Sequence, residues 1–233
     1  RECVEEIAAF VPHVIVTHPC APEDNLAVYR LFGGVFDRRD EAGRLEEALR
    51  QALEAARAVG EEMPRERVLY LIWREPWMTV ARGTYISAAL AAVGWDTWPP
   101  GVEPRYPAFD LNASWLREVG RVFLSSEPYR FRAGHLAEVE LATGKPTSLI
   151  DGEMVSWYGS RAVAGMRYLA ALRRSLSGIP ARRRFRRASA GGIWPGCVSA
   201  QSAIQAEKMA ASRTPGITPA MNSCEIDTSA ATP

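Results

Sequence analysis

Beyond residue 62 the chain alternates between short apolar runs and helix-like segments. The runs cover residues 68–73, 121–125 and 147–150, and the helical patterns that follow them cover residues 84–93, 135–142 and 162–174. A continuous apolar run of this length is typical of a parallel strand covered on both faces. Repeated strand-then-helix order predicts a parallel sheet flanked by helices. We therefore expect residues 62–175 to form a small doubly wound α/β lobe.

A long helix is predicted ahead of this lobe. Residues 37–59 are rich in Ala, Glu, Leu and Arg, contain no Pro, and are followed by Gly60 as a stop signal. At 1.5 Å per residue this helix would be about 33 Å long, close to the diameter of a small domain. We assign residues 37–61 as a helix that links two lobes.

Residues 1–36 are interpreted as part of a first α/β lobe. Residues 4–10 have the pattern of a helix end, and residues 11–17 are predicted to form a short buried strand. Asp24 and Asn25 favour a helix start, and the amphipathic run after them ends at Gly33 and Gly34. A further short helix is predicted for residues 112–119, with Asn112 as its cap.

Composition excludes several classes of protein. The 28 basic and 27 acidic residues give a net charge of +1, so the total charge does not indicate binding to nucleic acid or anionic lipid. No apolar run approaches the roughly 18 residues of a membrane-spanning helix. The four Cys form no C-x-x-C pair and have no His at zinc-ligand spacing, so they indicate neither a metal site nor a disulfide framework.

Residues 176–233 differ in kind from the rest of the chain. A basic run at 182–187 is followed by Ala, Ser, Gly, Pro and Thr without a sustained period of 2 or 3.6 residues. Such a segment cannot bury enough apolar area to offset its ordering entropy. We interpret it as a disordered basic tail. Nucleic-acid binding by the basic run is the alternative, although a solvated segment is the commoner outcome of such a sequence.

Aromatic residues concentrate directly after the three predicted strands, where ligands bind in parallel α/β sheets. The three segments carry Trp73 and Trp77, then Tyr129, then Trp157 and Tyr158. An aromatic rim with few charges suits a large, flat, partly apolar ligand. All five residues are therefore candidates for ligand binding. The alternative is a core position, which is favoured for Trp73 and is as consistent with the pattern as ligand contact for Trp77 and Trp157.

Charged residues accompany the aromatic ones. Glu127 and Glu153 follow their strands at corresponding positions, and either could pair with an Arg of a partner protein, bind a ligand, or interact with the dipole of the next helix. Arg161 is a candidate ligand contact or a structural partner of a nearby carboxylate. His135 is expected at the surface or at a helix cap.

The common catalytic motifs are absent from the sequence. There is no G-x-S-x-G elbow, P-loop or H-E-x-x-H, and Gly152 and Gly159 lack the spacing of a dinucleotide fingerprint. Asp151 and Glu153 form a carboxylate pair at a strand end, without a basic nucleophile or metal ligand nearby in the sequence. We therefore expect a binding protein with no catalytic residue, metal or resident cofactor. An α/β enzyme that uses Asp151 and Glu153 is the alternative.

Three strings carry a family resemblance. They are Leu-Tyr-Leu-Ile-Trp-Arg-Glu-Pro-Trp-Met at 69–78, Leu-Ser-Ser-Glu-Pro-Tyr at 124–129, and Ile-Asp-Gly-Glu-Met at 150–154 followed by Ser-Trp-Tyr-Gly-Ser-Arg at 156–161. In this order they resemble the periplasmic substrate-binding proteins of vitamin B12 and iron-complex uptake, the helical-backbone metal receptor family, and especially its cobalamin-binding branch. The resemblance covers about residues 1–174. It implies two α/β lobes joined by one long helix, with a Rossmann-like C-terminal lobe.

The resemblance implies a receptor that binds a corrinoid, cobalamin, between two lobes and delivers it to the permease of an ABC importer. Trp157 would stack on or wall the corrin ring, and Trp77 and Tyr129 would line the same cleft. Glu127 and Glu153 are candidates for salt bridges to the permease. Haem and ferric siderophores are alternative ligands, because aromatic walls suit all three.

The resemblance also implies a periplasmic or otherwise exported protein. A cytoplasmic location is the alternative. No signal-peptide pattern follows Arg1, and any targeting segment is expected to have been removed or to lie outside this chain. Most of the first lobe of such a protein would precede Arg1, so residues 1–36 are expected to be a remnant of that lobe. The segment after about residue 175 has no counterpart in the family pattern.

Overall fold

The computed structural model describes residues 2–101 and 103–177. The α-helices in these ranges are α1 (Glu2–Ala8), α2 (Asn25–Val35), α3 (Arg39–Glu61), α4 (Tyr85–Ala92), α5 (Gly134–Thr143), α6 (Gly152–Ser156) and α7 (Arg161–Leu176). The strands are β1 (Glu66–Leu71), β2 (Trp77–Met78), β3 (Trp95–Thr97), β4 (Ala108–Phe109), β5 (Arg121–Ser125) and β6 (Thr147–Ile150), and 3-10 helices cover Pro22–Asp24 and Ser114–Glu118. Apart from its first two residues, the predicted tail at 176–233 lies outside the described residues.

Four of the strands form a parallel sheet in the order β3-β1-β5-β6. β1 lies between two neighbours, with Val68 beside both Thr97 of β3 and Arg121 of β5. β5 pairs in turn with β6, and Ser125 lies beside Ile150 near the carboxyl ends of both strands. The predicted α/β class with a parallel sheet is therefore confirmed. β3 is an addition to the three predicted strands, since its three residues are too few to show a period of two.

The two central strands, β1 and β5, are buried on both faces, which accounts for their continuous apolar runs. On one face Tyr70 and Phe123 join a core that includes residues of α3, α4 and α7. On the other face Leu71 and Leu124 pack with residues of the second 3-10 helix and of α5. Successive side chains of a strand point to opposite faces, so each strand contributes to both cores.

α3 is the long helix predicted for residues 37–61, and it begins at Arg39 and ends at Glu61. Asp40 and Glu41 lie in its first turn, where negative charge interacts favourably with the helix dipole. Buried side chains recur every three or four residues along it: Leu49, Ala52, Leu53, Ala56 and Val59. This apolar stripe packs against α2 and α7.

The prediction of a buried strand at residues 11–17 is wrong. The segment belongs to no helix or sheet, and Val14, Ile15 and Val16 are all exposed. A strand requires a neighbour to pair its backbone groups. In the part of the chain that the structure describes, no strand lies beside this segment.

The predicted helix at 112–119 is shorter than expected and is not capped by Asn112. It is the 3-10 helix Ser114–Glu118, which the chain enters from Ala113. The backbone N–H and the side-chain amide of Asn112 both donate to Asp110 Oδ1, at 2.7 and 2.9 Å. Asn112 therefore closes a turn two residues back instead of binding the helix end.

A small antiparallel ribbon lies beyond the end of β1. β2 pairs with β4, with Trp77 opposite Phe109 and Met78 opposite Ala108. This ribbon determines where Trp77 lies relative to the main sheet. None of the helices in the described ranges combines the length and the apolar character needed to cross a membrane.

Candidate functional site

The turns that follow β1, β5 and β6 meet at the carboxyl edge of the sheet. The backbone N–H of Tyr129 donates to the carbonyl of Ile72 at 3.1 Å, which joins the first two turns. The N–H of Gly152 donates to Ser126 Oγ at 2.9 Å, which joins the second and third. Adjacent parallel strands bring their carboxyl ends together, so this juxtaposition follows from the sheet order.

Gly152 allows the second and third turns to approach this closely. A Cβ at this position would lie 2.5 Å from Ser125 Oγ and 2.8 Å from the backbone nitrogen of Glu127. Any larger residue would therefore push the turn after β6 away from the turn after β5.

Aromatic rings from the first two turns form a connected cluster. Trp77 is stacked on Phe131, with ring centroids 6.2 Å apart and the planes 7° from parallel. Tyr129 contacts both Phe131, at 4.7 Å, and the edge of Trp73, at 5.8 Å. His135 packs edge-on against Tyr129 and Phe131, and its Nδ1 accepts the backbone N–H of Arg132, two residues before α5 begins, so it does not cap that helix. Trp73, Trp77 and Tyr129 are each half-buried.

Trp157 lies in the third turn and is joined to the second turn by its side chain. Its Nε1–H donates to Glu127 Oε2 at 2.9 Å. The guanidinium of Arg161 lies over the indole ring, 5.2 Å from its centroid, and Arg161 pairs with Glu153 at 2.9 Å. The predicted alternative for Arg161, a carboxylate partner, is thus present. Trp157 remains 40% exposed.

Tyr158 faces a different surface from Trp157. Its ring lies 6.3 Å from that of Tyr85, and it lines an apolar groove of about 520 Å³ together with Tyr29 and Phe32 of α2 and with Phe36. Of the aromatic candidates in the third turn, Trp157 is joined to the turn after β5, whereas Tyr158 lies near Tyr85 of α4 and lines the groove beside α2.

Two buried polar residues hold the third turn in place, and neither was among the candidates. Asn25 Oδ1 accepts the N–H of Gly159 at 2.6 Å, and its amide donates to the carbonyl of Pro22. Tyr29 donates its hydroxyl proton to the carbonyl of Gly159 at 2.7 Å. Burial raises the pKa of Tyr29 to about 12, so the phenol keeps this proton at neutral pH. Asn25 was predicted only as a helix starter, and its partner Gly159 lies 134 positions away in the sequence.

Asn25→Ala is expected to lower the free energy of unfolding by about 1–2 kcal/mol. The substitution removes the acceptor of the Gly159 N–H and the donor to Pro22, and partly buried groups that lose their partners pay a desolvation cost. Urea denaturation measures the change. Asn112→Ala is the matched control at an exposed asparagine, where a change within about 0.5 kcal/mol is expected. Equal losses in the two variants would contradict this role of Asn25.

Asp151 and Glu153 are the two carboxylates that an α/β enzyme was predicted to use, and both make structural contacts. Asp151 Oδ1 accepts the N–H of Met154 and so caps α6, and its own N–H donates to the hydroxyl of Tyr168 at 2.9 Å. Glu153 pairs with Arg161. Among the residues that the structure describes, no group of three or more His, Cys, Asp and Glu side chains is placed to hold a metal ion.

Comparisons with known proteins show which proteins share this fold. No protein-family model matches the chain, and no curated protein matches it in sequence. Among solved structures, the periplasmic vitamin B12 binding protein BtuF of Vibrio cholerae superposes with a TM-score of 0.60 at 13% identity, over 76% of this chain and 70% of that one. The protein has the fold of periplasmic binding proteins. This is the fold that the three strings imply.

Two further neighbours share the same architecture. The periplasmic heme-binding protein RhuT from Roseiflexus sp. RS-1 has a TM-score of 0.59 at 14% identity, over 74% of this chain and 70% of that chain. A possible iron-binding periplasmic solute-binding protein from Staphylococcus epidermidis has a TM-score of 0.59 at 14% identity, over 74% and 69%. These neighbours are binding proteins of the kind that the sequence resembles, and the ligands they are named for differ.

Proposed function

We propose that this protein is a substrate-binding component of an ABC importer and that it binds a corrinoid, cobalamin, at the carboxyl edge of its parallel sheet. The observation that carries the proposal is the arrangement of Trp77, Tyr129 and Trp157 on three turns that contact one another at this edge. Haem and ferric siderophores are the alternative ligands. The fold neighbours, which are periplasmic proteins named for vitamin B12, heme and iron, support this choice of ligand class.

The chemistry of the edge suits binding. Aromatic rings supply a large rigid contact area, and they lose little conformational entropy when a flat ligand packs against them. The charged groups beside them are largely paired, Arg161 with Glu153 and Arg74 with Glu138. A ligand with a broad apolar ring and peripheral polar groups would contact the aromatic rings with its plane and the charged residues with its rim.

The proposal includes the arrangement of the whole receptor. Residues 1–36 would belong to a first lobe, α3 within residues 37–61 would be the helix that joins the lobes, and residues 62–175 would form the second lobe. Glu127 and Glu153 would face the permease, and the protein would act outside the inner membrane. The periplasmic origin of the fold neighbours supports this location.

Titration calorimetry tests which ligand the protein binds. The protein is titrated separately with cyanocobalamin, hemin and a ferric siderophore, and saturable binding of cyanocobalamin in preference to the other two is expected. Preference for hemin or the siderophore would replace the corrinoid with that alternative. Absence of saturable binding to all three would overturn the proposed function.

Trp157→Ala is expected to weaken binding of the preferred ligand by about tenfold, because truncation of an energetically important aromatic contact costs more than about 1 kcal/mol. Trp77→Ala is expected to weaken it similarly and also to lower stability, since Trp77 is half-buried and stacked on Phe131. Calorimetry measures the affinity and thermal unfolding the stability. Phe10→Ala, at an aromatic residue that is 77% exposed, is the control and should change neither. Unchanged affinity in the Trp157 variant would remove it from the site.

A further inference from the structure

We propose that Glu127 and Arg161 are positioning residues that fix the indole ring of Trp157 before ligand binds. The inference rests on the proposed function and adds which residues prepare its binding surface. Glu127 accepts the indole N–H at 2.9 Å, and Arg161 covers the ring at 5.2 Å from its centroid. One restraint acts at the edge of the ring and the other on its plane, so together they limit rotation about both side-chain torsions.

The restraints come from different parts of the fold. Glu127 follows β5, whereas Arg161 is the first residue of α7, and the carboxylate of Glu153 in α6 holds the guanidinium at 2.9 Å. Glu153, Arg161, Trp157 and Glu127 thus form one continuous series of contacts, which we call the indole ladder. The ladder spans from α6 and α7 to the turn after β5.

The backbone of Trp157 is held as well. Its N–H donates to the carbonyl of Glu153 at 3.1 Å and ends α6. Two residues later, Asn25 accepts the N–H of Gly159 at 2.6 Å. Both the main chain and the side chain of Trp157 are therefore fixed, although the residue is 40% exposed.

A tryptophan that is 40% exposed does not need this many partners for stability. A fixed ring does benefit ligand binding, because each side chain that must be immobilised on association costs affinity. Arg161 covers one face of the ring. The ladder consequently presents the remaining exposed surface of Trp157 to a flat ligand. Because the Trp157 side chain is already ordered, little binding free energy is lost in immobilising it.

The same ladder bears on the two carboxylates proposed to face the permease. Glu127 and Glu153 each have an internal partner, Trp157 and Arg161. A carboxylate that acts only on the permease has no effect on ligand binding by the isolated protein. If substitution of Glu127 lowers ligand affinity, Glu127 therefore positions Trp157 and does not act only in docking.

The first test needs no ligand. Indole ¹⁵N–H resonances are recorded for the protein, which has seven Trp, and the resonance missing in Trp157→Phe identifies Trp157. Glu127→Ala is expected to move that resonance and to speed its exchange with water, whereas Glu127→Gln, which keeps an acceptor oxygen, restores slow exchange. Glu118→Ala, at a glutamate paired with Arg67 outside the ladder, is the control and leaves it unchanged. An unaltered Trp157 resonance in Glu127→Ala would overturn the proposal.

The second test is a double-mutant cycle on affinity, with cyanocobalamin, hemin and the ferric siderophore as probes. In the parent protein, Glu127→Ala is expected to weaken binding of the probe by about two- to tenfold, which corresponds to the cost of ordering one side chain. In the Trp157→Phe background the same substitution is expected to have no effect on affinity. An equal loss in both backgrounds would mean that Glu127 acts without Trp157 and would overturn the proposal. If no probe binds, the proposed function fails, and the indole resonances still decide whether Glu127 positions Trp157.

Discussion

Glu66→Ala is expected to lower the free energy of unfolding by about 3–5 kcal/mol, because it leaves a buried arginine without its counter-ion. Arg173 of α7 has only 6% of its side chain exposed, and its Nη1 lies 2.7 Å from Glu66 Oε2. The same carboxylate accepts the indole N–H of Trp95 at 3.0 Å and lies 3.3 Å from Arg121. Urea denaturation at neutral pH measures the loss.

Two variants test whether burial is the cause. Glu66→Gln keeps the shape of the side chain and one acceptor oxygen but removes the charge, and an intermediate loss is expected. Glu118→Ala breaks the ion pair with Arg67, whose side chains are 38% and 49% exposed, and should cost no more than about 1 kcal/mol. A Glu66→Ala loss as small as that of Glu118→Ala would show that Arg173 finds solvent or another partner.

Gly165→Ala is expected to lower the free energy of unfolding by about 2–3 kcal/mol, because the added methyl group would overlap the backbone of a neighbouring helix. A Cβ on Gly165 of α7 would run into the carbonyl oxygen of Met154 in α6. Backbone atoms cannot turn away as a flexible side chain can. The two helices would have to separate, and Trp157 lies in the short segment that joins them, while Arg161 is the first residue of α7.

Gly43→Ala is the matched control for this substitution. Gly43 also lies inside a helix, α3, but nothing lies within 4 Å of the position a Cβ would take. Alanine is a better helix former than glycine, so stability is expected to rise by about 0.5–1 kcal/mol. Chemical denaturation compares both variants with the parent. A stability gain in Gly165→Ala would contradict the close approach of α6 and α7.

The strands and the long helix were predictable because the spacing of apolar residues within each segment indicates its secondary structure. The apolar runs of β1 and β5 require two covered faces, and their residues divide between two cores. The stripe along α3 likewise places its buried residues at helical spacing. In both cases the information lies within about twenty consecutive residues.

The segment at residues 11–17 shows the limit of such patterns. Its Val and Ile residues have high strand propensity, yet they are exposed and paired with nothing that the structure describes. Propensity states which residues suit a sheet, but pairing needs a neighbour from elsewhere. The opposite case is β3, which is too short to show a period and is ordered by its pairing with β1.

The amino-acid order was sufficient to predict the α/β class, the long α3 and the aromatic turns after β1, β5 and β6, because strand and helix periods are local properties. Tertiary structure alone decided that Trp157 contacts Glu127 and Arg161, that Tyr158 faces α2 instead, and that Asn25 and Tyr29 hold the third turn. These contacts join residues up to 134 positions apart. Apart from the contact between Trp157 and Arg161, they depend on how elements distant in the chain pack against one another, which no local pattern encodes.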